Sequence, residues 1–466
     1  MATIFQSHLF FTILLLLASL LDYSKVYGVE SESYHVIQVT SLLPKRSCST
    51  PSGFNQTGLK IVHRRGPCSP FGQEKASTRE ILMQDQSRVD SLMSRISSGS
   101  QRVKTQDTEV PAQLGSSLGT QNYIVTVGFG TPEKKLSIAF DTGSDFTWIQ
   151  CSPCPPIKCY SQQEPLFDPS ESTSYRNVSC DSPQCAQLDS ATGNPHSCSS
   201  TCQYTVEYGD SSSSSGSFAS ETLTLTPSDV ILNFPFGCGH ENQGLFGRTA
   251  GLLGLGRDPL SLVSQTALKY NRVFSYCLPS PSSSDGYLKF GSDAITSSNL
   301  KFTQMGTNPK APSFYFLTMI GIRVAGEDLP IQASTFASPG TIIDSGTVIT
   351  RLQPAAYMEL RSTFRKSMSN YTMTSEYEIF DTCYDFSGLE TVNVPKIVLR
   401  FQGDVEVEVD VLGIFYPVNN SQICLAFVGN RYTDSLGIIG NRQQRKINVV
   451  YDVGGERVGF GAGGCS

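Results

Sequence analysis

From Tyr123 onward the chain consists of short runs in which apolar and polar residues alternate or form brief β-rich blocks, separated by Gly, Pro, Asn and Asp. Alternation with a period of two is typical of strands with one buried face, and the separating residues are typical of turns. The pattern predicts an all-β body of about 345 residues with few helices, one of them near 354–368. The clearest predicted strands are Y-I-V-T-V, L-S-I-A-F, Y-T-V-E-Y, T-L-T-L, K-I-V-L-R-F, V-E-V-E-V-D-V and I-N-V-V-Y-D-V.

Between Val29 and about Val110 the sequence is polar, and one segment has a helical pattern. Ser77 and Glu80 fit a capping box, which predicts that a helix begins near Ser77. Apolar residues then recur at helical spacing, at Leu82, Val89, Leu92, Met93 and Ile96. The polar stretches S-S-G-S and K-T-Q-D-T-E follow, and they predict an exposed linker open to proteolytic cleavage.

The N-terminus carries thirteen mostly apolar residues, Leu9 to Leu21, followed by small and polar residues around Gly28. This length fits the apolar region of a signal peptide and is too short to cross a bilayer, although the residues before it lack Lys and Arg. We therefore expect a signal peptide over 1–28, no membrane anchor, and secretion to the extracellular space or apoplast. The vacuole and the chloroplast are the alternative compartments.

Fourteen cysteines agree with secretion, because an even number of cysteines behind a signal peptide predicts disulfides. C-S-P-C at 151–154, with Cys159 nearby, could instead indicate a zinc site, but no second C-x-x-C or histidine pair completes it. We expect disulfides and neither a metal nor a cofactor. Asn-x-Ser/Thr sequons predict glycosylation at Asn55, Asn177, Asn370 and Asn419.

Charge is unevenly distributed along the chain. Residues 45–104 contain 11 Lys or Arg and 4 Asp or Glu, whereas the whole chain has a net charge of −6. A basic segment ahead of an acidic body suggests a nucleic-acid-binding arm, a transit peptide, or a pro-segment that docks on an acidic cleft. For the third case we expect Lys or Arg contacts to ionised carboxylates at neutral pH, with Arg64 and Arg65 as candidates.

Two short motifs reveal an internal repeat. The strand L-S-I-A-F runs into Asp141-Thr142-Gly143-Ser144, and T-I-I runs into Asp344-Ser345-Gly346-Thr347. Each motif is followed, after about a hundred residues, by an apolar-apolar-Gly sequence, Leu252–Gly254 and Ile438–Gly440. One Asp-[Ser/Thr]-Gly triplet is weak evidence, but two with matched strands and matched closures predict two similar lobes that face each other.

If the lobes meet at these turns, Asp141 and Asp344 share one site. Two adjacent carboxylates cannot both ionise cheaply, so the pair holds one proton and supplies a general base together with a general acid. Gly143 and Gly346 would permit tight turns and offer N–H groups to the carboxylates. The hydroxyls of Ser144 and Thr347 could donate to the outer carboxylate oxygens, and Thr142 and Ser345 could brace the two turns.

These residues resemble the pepsin-like aspartic proteases over nearly all of 120–466, and most closely the plant nepenthesin-type and chloroplast-nucleoid groups. D-T-G-S-D-F-T-W-I-Q-C, the cysteine-dense segment 151–202, Y-G-D, G-I-I-G-N and V-H-R-R-G-P-C-S-P carry the resemblance. It implies a bilobal pepsin-like acid-protease fold and endopeptidase activity on polypeptides, blocked by pepstatin-type inhibitors. It also implies a flap carrying Tyr208 beside Trp148. We expect a pro-segment over 29–115 that acts as an intramolecular inhibitor, lobes over 116–310 and 311–466, and a monomer.

The same resemblance implies a disulfide scheme. The expected bridges are Cys151–Cys154, Cys159–Cys238, Cys180–Cys202, Cys185–Cys198, Cys277–Cys465 and Cys383–Cys424. Cys48 and Cys68 would then pair within the pro-segment.

One feature departs from the usual family pattern, and a second narrows the choice of subgroup within the family. Serines 211–215 replace the more usual glycine-containing flap tip, and the second lobe has no room for a saposin-like insert. A glycosidase inhibitor with the same fold is one rival interpretation, but both triplets and Tyr208 are intact, which favours an enzyme. A nucleic-acid-binding plastid protease is the other, and only the basic segment 45–104 supports it, without a recognised reader motif.

Overall fold

The computed structural model describes residues 33–45, 47–49, 58–72, 77–97, 122–208, 212–244, 246–295 and 299–465. The expected signal peptide, the linker after the first helix and the sequon at Asn55 lie outside these residues. Strands make up most of the regular structure, as the alternating pattern predicts. None of the helices in the described ranges combines the length and the apolar character needed to cross a bilayer.

The N-terminal segment, residues 33–97, contributes two strands and one long helix: β1 (Tyr34–Gln38), β2 (Leu59–His63) and α1 (Thr78–Ser97). The capping box is present, since Glu80 N donates to Ser77 Oγ at 3.1 Å and Ser77 N donates to Glu80 Oε2 at 2.7 Å. The predicted helix is therefore confirmed, with its start fixed by the two side chains that identified it.

The first half of the body contains eleven strands and three short helices among the described residues. They are β3 (Tyr123–Phe129), β4 (Lys134–Asp141), β5 (Trp148–Gln150), β6 (Arg176–Asn177), α2 (Pro183–Thr192), β7 (Ser197–Cys198), β8 (Cys202–Glu207), β9 (Ser213–Thr226), β10 (Asp229–Gln243), β11 (Gly251–Gly254), α3 (Leu262–Gln265), α4 (Ala267–Tyr270), β12 (Val273–Cys277) and β13 (Gly286–Phe290).

The second half is similar in character, and its one long helix matches the expectation near 354–368. Its elements are β14 (Lys301–Gly306), β15 (Phe316–Leu317), β16 (Met319–Val324), β17 (Glu327–Asp328), β18 (Thr341–Ile343), β19 (Thr350–Leu352), α5 (Pro354–Ser367), β20 (Met373–Thr374), β21 (Cys383–Asp385), β22 (Thr391–Pro395), β23 (Ile397–Phe401), β24 (Val405–Glu408), α6 (Val411–Ile414), β25 (Phe415–Pro417), β26 (Gln422–Leu425), β27 (Phe427–Gly429), β28 (Gly437–Ile439), β29 (Asn448–Asp452) and β30 (Arg457–Gly461).

The predicted internal repeat is present in the strand pairing. β4, which ends at Asp141, pairs in parallel with β11, and Gly254 lies opposite Asp141. β18, which leads into Asp344, pairs in parallel with β28 in the corresponding way. Each acidic turn therefore leaves the end of a buried strand whose neighbour is the apolar-apolar-Gly sequence of the same lobe.

A sheet joins the two halves and includes a strand of the N-terminal segment. Its order is β3, β2, β13, β12, β29, β30 and β14, with antiparallel pairing throughout. At the far side of the second lobe β1 pairs antiparallel with β22, Tyr34 lying opposite Pro395. The N-terminal segment is thus bound to the body by backbone hydrogen bonds as well as by its helix.

The core beneath the acidic turns is aromatic. Phe274 stacks on Tyr451 with ring centroids 4.5 Å apart, and Tyr315 packs edge-on against Tyr451 at the same distance. Tyr315 OH also donates to Leu255 O at 2.6 Å, while Leu255 N donates to Asp141 O at 2.9 Å. A side chain of the second half therefore helps to hold the first acidic turn in place.

The described cysteines form seven disulfides, of which three match the scheme implied by the family resemblance. These three are Cys48–Cys68, Cys277–Cys465 and Cys383–Cys424. The four others differ from the scheme: Cys151–Cys238, Cys154–Cys159, Cys180–Cys198 and Cys185–Cys202.

Strand pairing explains the first two corrections. β5 and β10 run in parallel with Cys238 opposite Ile149, and Cys151 N donates to Gly239 O at 2.9 Å, so Cys238 lies beside Cys151. The expected Cys151–Cys154 and Cys159–Cys238 bridges are therefore wrong. Cys154 instead closes a short loop with Cys159.

Burial separates the other two pairs. Cys185, in the first turn of α2, and Cys202, at the start of β8, are fully buried in one apolar cluster. Cys180 and Cys198 lie nearer the surface, Cys198 on a strand directly opposite Cys202. The expected nested bridges Cys180–Cys202 and Cys185–Cys198 are wrong, because the helix delivers its buried cysteine to the buried strand position.

Candidate active site

The two acidic turns meet in the interior of the protein. Asp141 is 2% exposed and Asp344 is fully buried. Gly143 N donates to Asp141 Oδ1 at 3.0 Å, and Gly346 N donates to Asp344 Oδ1 at 3.2 Å. Each carboxylate is therefore oriented by the glycine N–H of its own turn, in the same way in both lobes.

The second residues of the two triplets cross-link the lobes. Ser345 N donates to Thr142 Oγ1 at 2.9 Å, and Thr142 N donates to Ser345 Oγ at 3.0 Å. Asn441 Nδ2 adds a bond to Ser345 O at 3.0 Å, and Gln444 Nε2 a bond to Asp344 O at 3.1 Å. These reciprocal bonds fix the spacing between the turns, as the sequence suggested for Thr142 and Ser345.

Glycine is required in both triplets because each turn is approached by the opposite carboxylate. A Cβ at position 143 would lie 2.6 Å from Asp344 Oδ1, and one at position 346 would lie 2.5 Å from Asp141 Oδ1. Both distances are far below a van der Waals contact. The absence of a side chain therefore allows the two carboxylates to approach each other.

The fourth residues of the two motifs behave differently. Thr347 Oγ1 donates to Asp344 Oδ2 at 2.5 Å, as expected. Ser144 Oγ is buried and makes no hydrogen bond to any described residue. The expected donation from Ser144 to a carboxylate oxygen is therefore absent from this structure, and the two motifs are not equivalent at this position.

An arginine of helix α1 lies between the two carboxylates. Arg88 Nη2 donates to Asp141 Oδ1 at 2.7 Å and to Asp344 Oδ1 at 2.9 Å, and its Nε donates to Asp344 Oδ2 at 2.9 Å. Both carboxylates thus converge on one nitrogen atom. The contact that we expected from Arg64 or Arg65 is made by Arg88, whereas Arg65 donates to Asn122 and Gln84.

The pKa values of the three groups follow from burial and this contact. Burial raises the pKa of Asp141 above 3.8 despite the charge of Arg88. Burial acts in the same direction on Asp344, but Arg88 and the Thr347 hydroxyl outweigh it and hold the pKa of Asp344 below 3.8. Burial by itself would lower the pKa of Arg88, but the two carboxylates outweigh it and raise that pKa. Asp344 is therefore the member that ionises first, as expected for a pair of adjacent carboxylates.

Apolar contacts hold helix α1 against the second lobe on both sides of Arg88. Leu82, six residues before it, packs in a cluster with Val348 and Ile349. Val89, Leu92 and Ile96 pack in another cluster with Ala311, Phe314, Phe316, Ile342, Leu436 and Ile438. The apolar residues that predicted the helix are those that seat it over the acidic turns.

A hairpin of the first lobe carries Tyr208. β8 and β9 pair antiparallel from Gln203–Ser217 to Glu207–Ser213, and Tyr208 N donates to Ser212 O at 2.8 Å. Trp148 Nε1 donates to Tyr208 OH at 2.8 Å. The tyrosine and the tryptophan therefore form the contact that the family resemblance implies.

Two further groups bear on the predicted sites. The sequon asparagines Asn177, Asn370 and Asn419 are all exposed. Cys185, Cys198 and His196 are the one group of described residues close enough together to suggest a metal site, but both cysteines are bridged and offer no thiolate.

Sequence reasoning missed three residues of the site: Arg88, and the buried ion pair of Asp85 on α1 with Arg351 on β19, whose Oδ2 and Nη2 atoms are 2.9 Å apart. The helical pattern contained a signal for the first two, since positions 85 and 88 are polar or charged residues within an otherwise apolar face of α1. Nothing in the sequence distinguishes Arg351 from other strand residues, because its partner is 266 positions away.

Comparison with known proteins assigns the family. Family models described as xylanase inhibitor N-terminal and C-terminal match residues 123–292 and 314–462. An aspartyl protease family protein of Arabidopsis thaliana is 52% identical over 93% of both chains, and the Arabidopsis aspartyl protease AED1 is 47% identical over 98% of this chain and 99% of its own. Nepenthesin-1, an aspartic proteinase of Nepenthes gracilis, is 37% identical over 74% of this chain and 79% of its own.

Solved structures agree on the fold. The crystal structure of edgp superimposes with a TM-score of 0.61 at 22% identity, covering 73% of this chain and 91% of its own. Basic 7S globulin from soybean gives 0.57 at 21% identity, with 72% and 92% covered. The chain belongs to the pepsin-like aspartyl protease family whose two lobes are described as the xylanase inhibitor N-terminal and C-terminal domains.

Proposed function

We propose that this protein is a secreted aspartic endopeptidase, made as a zymogen and active in acid. The observation that carries the proposal is the pair of buried carboxylates, Asp141 and Asp344, braced symmetrically and bound to one nitrogen of Arg88. Residues 1–28 serve as the signal peptide, 29–115 as the pro-segment, and 116–310 and 311–466 as the two lobes. Seven disulfides among the described residues and exposed sequons support secretion.

The chemistry requires Arg88 to leave. The ionised carboxylate of the pair then removes a proton from a water molecule as the water oxygen bonds to the carbonyl carbon of a substrate peptide bond. The protonated carboxyl donates a hydrogen bond to the carbonyl oxygen. As the carbon–nitrogen bond breaks, the amine nitrogen takes up a proton, and the pair returns to its single-proton state.

Latency follows from the same geometry. A guanidinium that binds both carboxylates excludes water from the position where it would attack, and apolar contacts on both sides of Arg88 hold α1 on the second lobe. Strands β1 and β2 anchor the N-terminal segment to the body. The enzyme is therefore inactive until the segment is released and cut within the linker.

The inhibitor alternative is less well supported by the site. An inhibitor that binds through its surface has no need of two intact, braced triplets, nor of an arginine that neutralises them. A nucleic-acid role for the basic segment is also disfavoured, because Arg88, Arg64 and Arg65 are turned into the protein and not toward solvent.

Acidifying the purified full-length chain tests the proposal. We expect a polypeptide substrate to be hydrolysed only after acid treatment, with a new N-terminus between residues 98 and 116 and with inhibition by a pepstatin-type compound. N-terminal sequencing and peptide hydrolysis measure the two events separately. Hydrolysis at pH 7 by the uncut chain would contradict latency, and no hydrolysis after the cut would contradict the protease function.

Release in acid has a candidate trigger in His63, at the end of β2. Its Nδ1 accepts the N–H of Arg65 at 3.2 Å, and its ring packs edge-on against Tyr123 with centroids 5.2 Å apart. The charged groups that face it are all arginines, two from its own segment and two from the second lobe: Arg64, Arg65, Arg442 and Arg445. Burial, together with the charge of Arg445, lowers the pKa of Arg442 to about 9. A further positive charge on His63 would therefore be unfavourable in this cluster.

Burial and the four arginines hold the pKa of His63 well below 6.5 in the docked state. In the released segment the pKa returns to about 6.5. Docking is therefore at full strength above pH 6.5 and weakens as the pH falls below that value, because only the released state takes up the proton. Asp344 acts in the same direction, because release of Arg88 removes a charge that lowers its pKa, whereas burial raises the pKa of Asp85 in the docked state and gives the opposite sign.

His63→Asn should lower the pH at which half of the chain is processed by about one unit. The change removes a group that contributes up to about 1.4 kcal/mol per pH unit below its free pKa, while asparagine can still accept the Arg65 N–H. The processed fraction after incubation across a pH series gives the midpoint. His240→Asn, in the body, is the matched control, and equal midpoints for the two variants would contradict the role of His63.

A further inference from the structure

Helix α1 inserts a second charged side chain into the cleft, one turn before Arg88. Asp85 is fully buried, and its Oδ1 accepts the N–H of Val348 at 2.6 Å. Its Oδ2 accepts the N–H of Ile349 at 3.2 Å and Nη2 of Arg351 at 2.9 Å. Residues three apart on a helix share a face, so Asp85 and Arg88 enter the same cleft side by side.

The receptor for Asp85 belongs entirely to the second lobe. Val348 and Ile349 directly follow the four-residue motif Asp344–Thr347, and Arg351 lies on β19 with its side chain 2% exposed. Two backbone N–H groups and a guanidinium, all directed at one carboxylate, form a charge-assisted and geometrically specific anion site. Its position four residues beyond Asp344 places it next to the proposed catalytic pair.

Arg351 depends on the N-terminal segment for its charge partner. Asp85 is the one carboxylate among the described residues within ion-pair distance of Arg351. Nη2 also donates to Gln86, another residue of the segment, while Nη1 donates to Ile349 O and Nε has no hydrogen-bond partner in the described structure. Release of the segment therefore leaves a charged guanidinium and two backbone donors without their acceptor, at the edge of an open cleft.

A buried guanidinium that has neither a charge partner nor full hydration is costly in free energy. Another carboxylate at the position of the Asp85 carboxylate would restore the lost partner of Arg351. A bound substrate runs through the cleft that α1 vacates, so a substrate residue can deliver that carboxylate.

We propose that Val348 N–H, Ile349 N–H and Arg351 form a substrate subsite for an Asp or Glu side chain, which Asp85 occupies in the zymogen. The inference rests on the proposed protease function and on release of the N-terminal segment. Asp85 and Arg88 are separated by about 4.5 Å along the helix axis, and an extended peptide advances about 3.3 Å per residue. A distance of about 4.5 Å corresponds to about one and a half residues of extended peptide, so the acidic residue occupies the second or third position counted from the cleaved bond. Arg351 determines specificity without touching the reacting atoms.

Matched peptides test the subsite with the activated enzyme. Each peptide carries one Glu at the second, third or fourth position from the cleaved bond on either side, and its partner carries Gln there. At one position we expect kcat/KM to be roughly tenfold to a hundredfold higher for Glu than for Gln, the range for a charge-assisted hydrogen-bonded contact. The preference should fall as the pH drops through the ordinary pKa of Glu, about 4.3, because the neutral acid loses it.

Variants locate the preference. Arg351→Gln should bring the Glu-to-Gln ratio close to one, and Arg351→Lys should retain part of it. Arg361→Gln removes a partly exposed arginine of α5 that pairs with Asp381, and this variant should keep the full ratio. The ratio measured with the unmodified enzyme needs no variant, so misfolding of an Arg351 variant does not remove the test. A ratio of one at every position, or an unchanged ratio in Arg351→Gln, would overturn the proposal.

Binding separates this inference from the protease function. Pepstatin-type peptides with a non-hydrolysable central group and either Glu or Gln at the same positions report affinity without turnover. Tighter binding of the Glu compound by a protein that cleaves no peptide would support the subsite and contradict the protease function. Cleavage of both peptides, with equal binding of both compounds, would support the protease and refute the subsite.

Discussion

Asp141→Asn and Asp344→Asn are each expected to lower peptide hydrolysis by the activated protein by at least roughly a thousandfold. The pair works as one unit that holds a single proton, so an amide at either position removes the base or the acid and leaves the other without its function. The double variant should be no worse than either single one. Hydrolysis of one peptide by protein activated under the same conditions measures the loss, with processing by an added protease if the variants cannot cut themselves.

The matched control for this prediction is Asp434→Asn. Asp434 is exposed and is followed by Ser435, as in an Asp-Ser-Gly triplet, but Leu436 stands where the triplet has glycine. We expect full activity from it. For all three variants we expect thermal unfolding of the activated protein, which lacks Arg88, within a few degrees of wild type, since the asparagine oxygen can still accept the glycine N–H. A tenth of wild-type turnover in Asp344→Asn would refute the assignment of the pair.

Arg88→Gln should weaken docking of the N-terminal segment and start activation nearer to neutral pH. The variant loses three charge-assisted bonds to buried carboxylates, while the apolar contacts of α1 remain. Breaking a buried ion pair costs about 3–5 kcal/mol, and the ability of the freed carboxylates to share one proton offsets part of it. We expect the undocked fraction at pH 6 to rise by about tenfold to a hundredfold, measured as the initial rate of processing.

Arg79→Gln is the control on the same helix. Arg79 is 67% exposed on its side chain and pairs with Glu378 at the surface, where ion pairs contribute little. It should process at the wild-type rate at every pH. Equal rates for Arg88→Gln and Arg79→Gln would show that Arg88 does not hold the segment in place.

Features that depend on neighbours in sequence were predicted from the sequence. Period-two alternation gave the strands, and the capping box at Ser77 and Glu80 gave the start of α1, because strand faces and helix caps are set by residues within a few positions of each other. The internal repeat made the two acidic turns predictable in the same way. Two identical local patterns that end matched strands imply two similar lobes, and hence the meeting of Asp141 with Asp344.

Tertiary structure decided which distant residues are partners. The sequence offered eleven basic residues between 45 and 104, and only the seating of α1 on the second lobe selected Arg88 over Arg64 and Arg65. The disulfides show the same limit. Cys151 is close to Cys238 because β5 and β10 lie in parallel, and this pairing outweighs its proximity in sequence to Cys154.

The carboxylate site at Arg351 was decided wholly by the tertiary structure. Its parts are two backbone N–H groups left free by an irregular stretch after the second acidic turn, a strand arginine, and an aspartate that lies 266 positions earlier. Backbone donors have no signature in a sequence, and a charge pair between such distant residues depends on the path of the whole chain. The sequence determined the two lobes and their acidic turns, while the packing of α1 on the second lobe determined what those turns bind, since Arg88 reaches both carboxylates only after both lobes have folded.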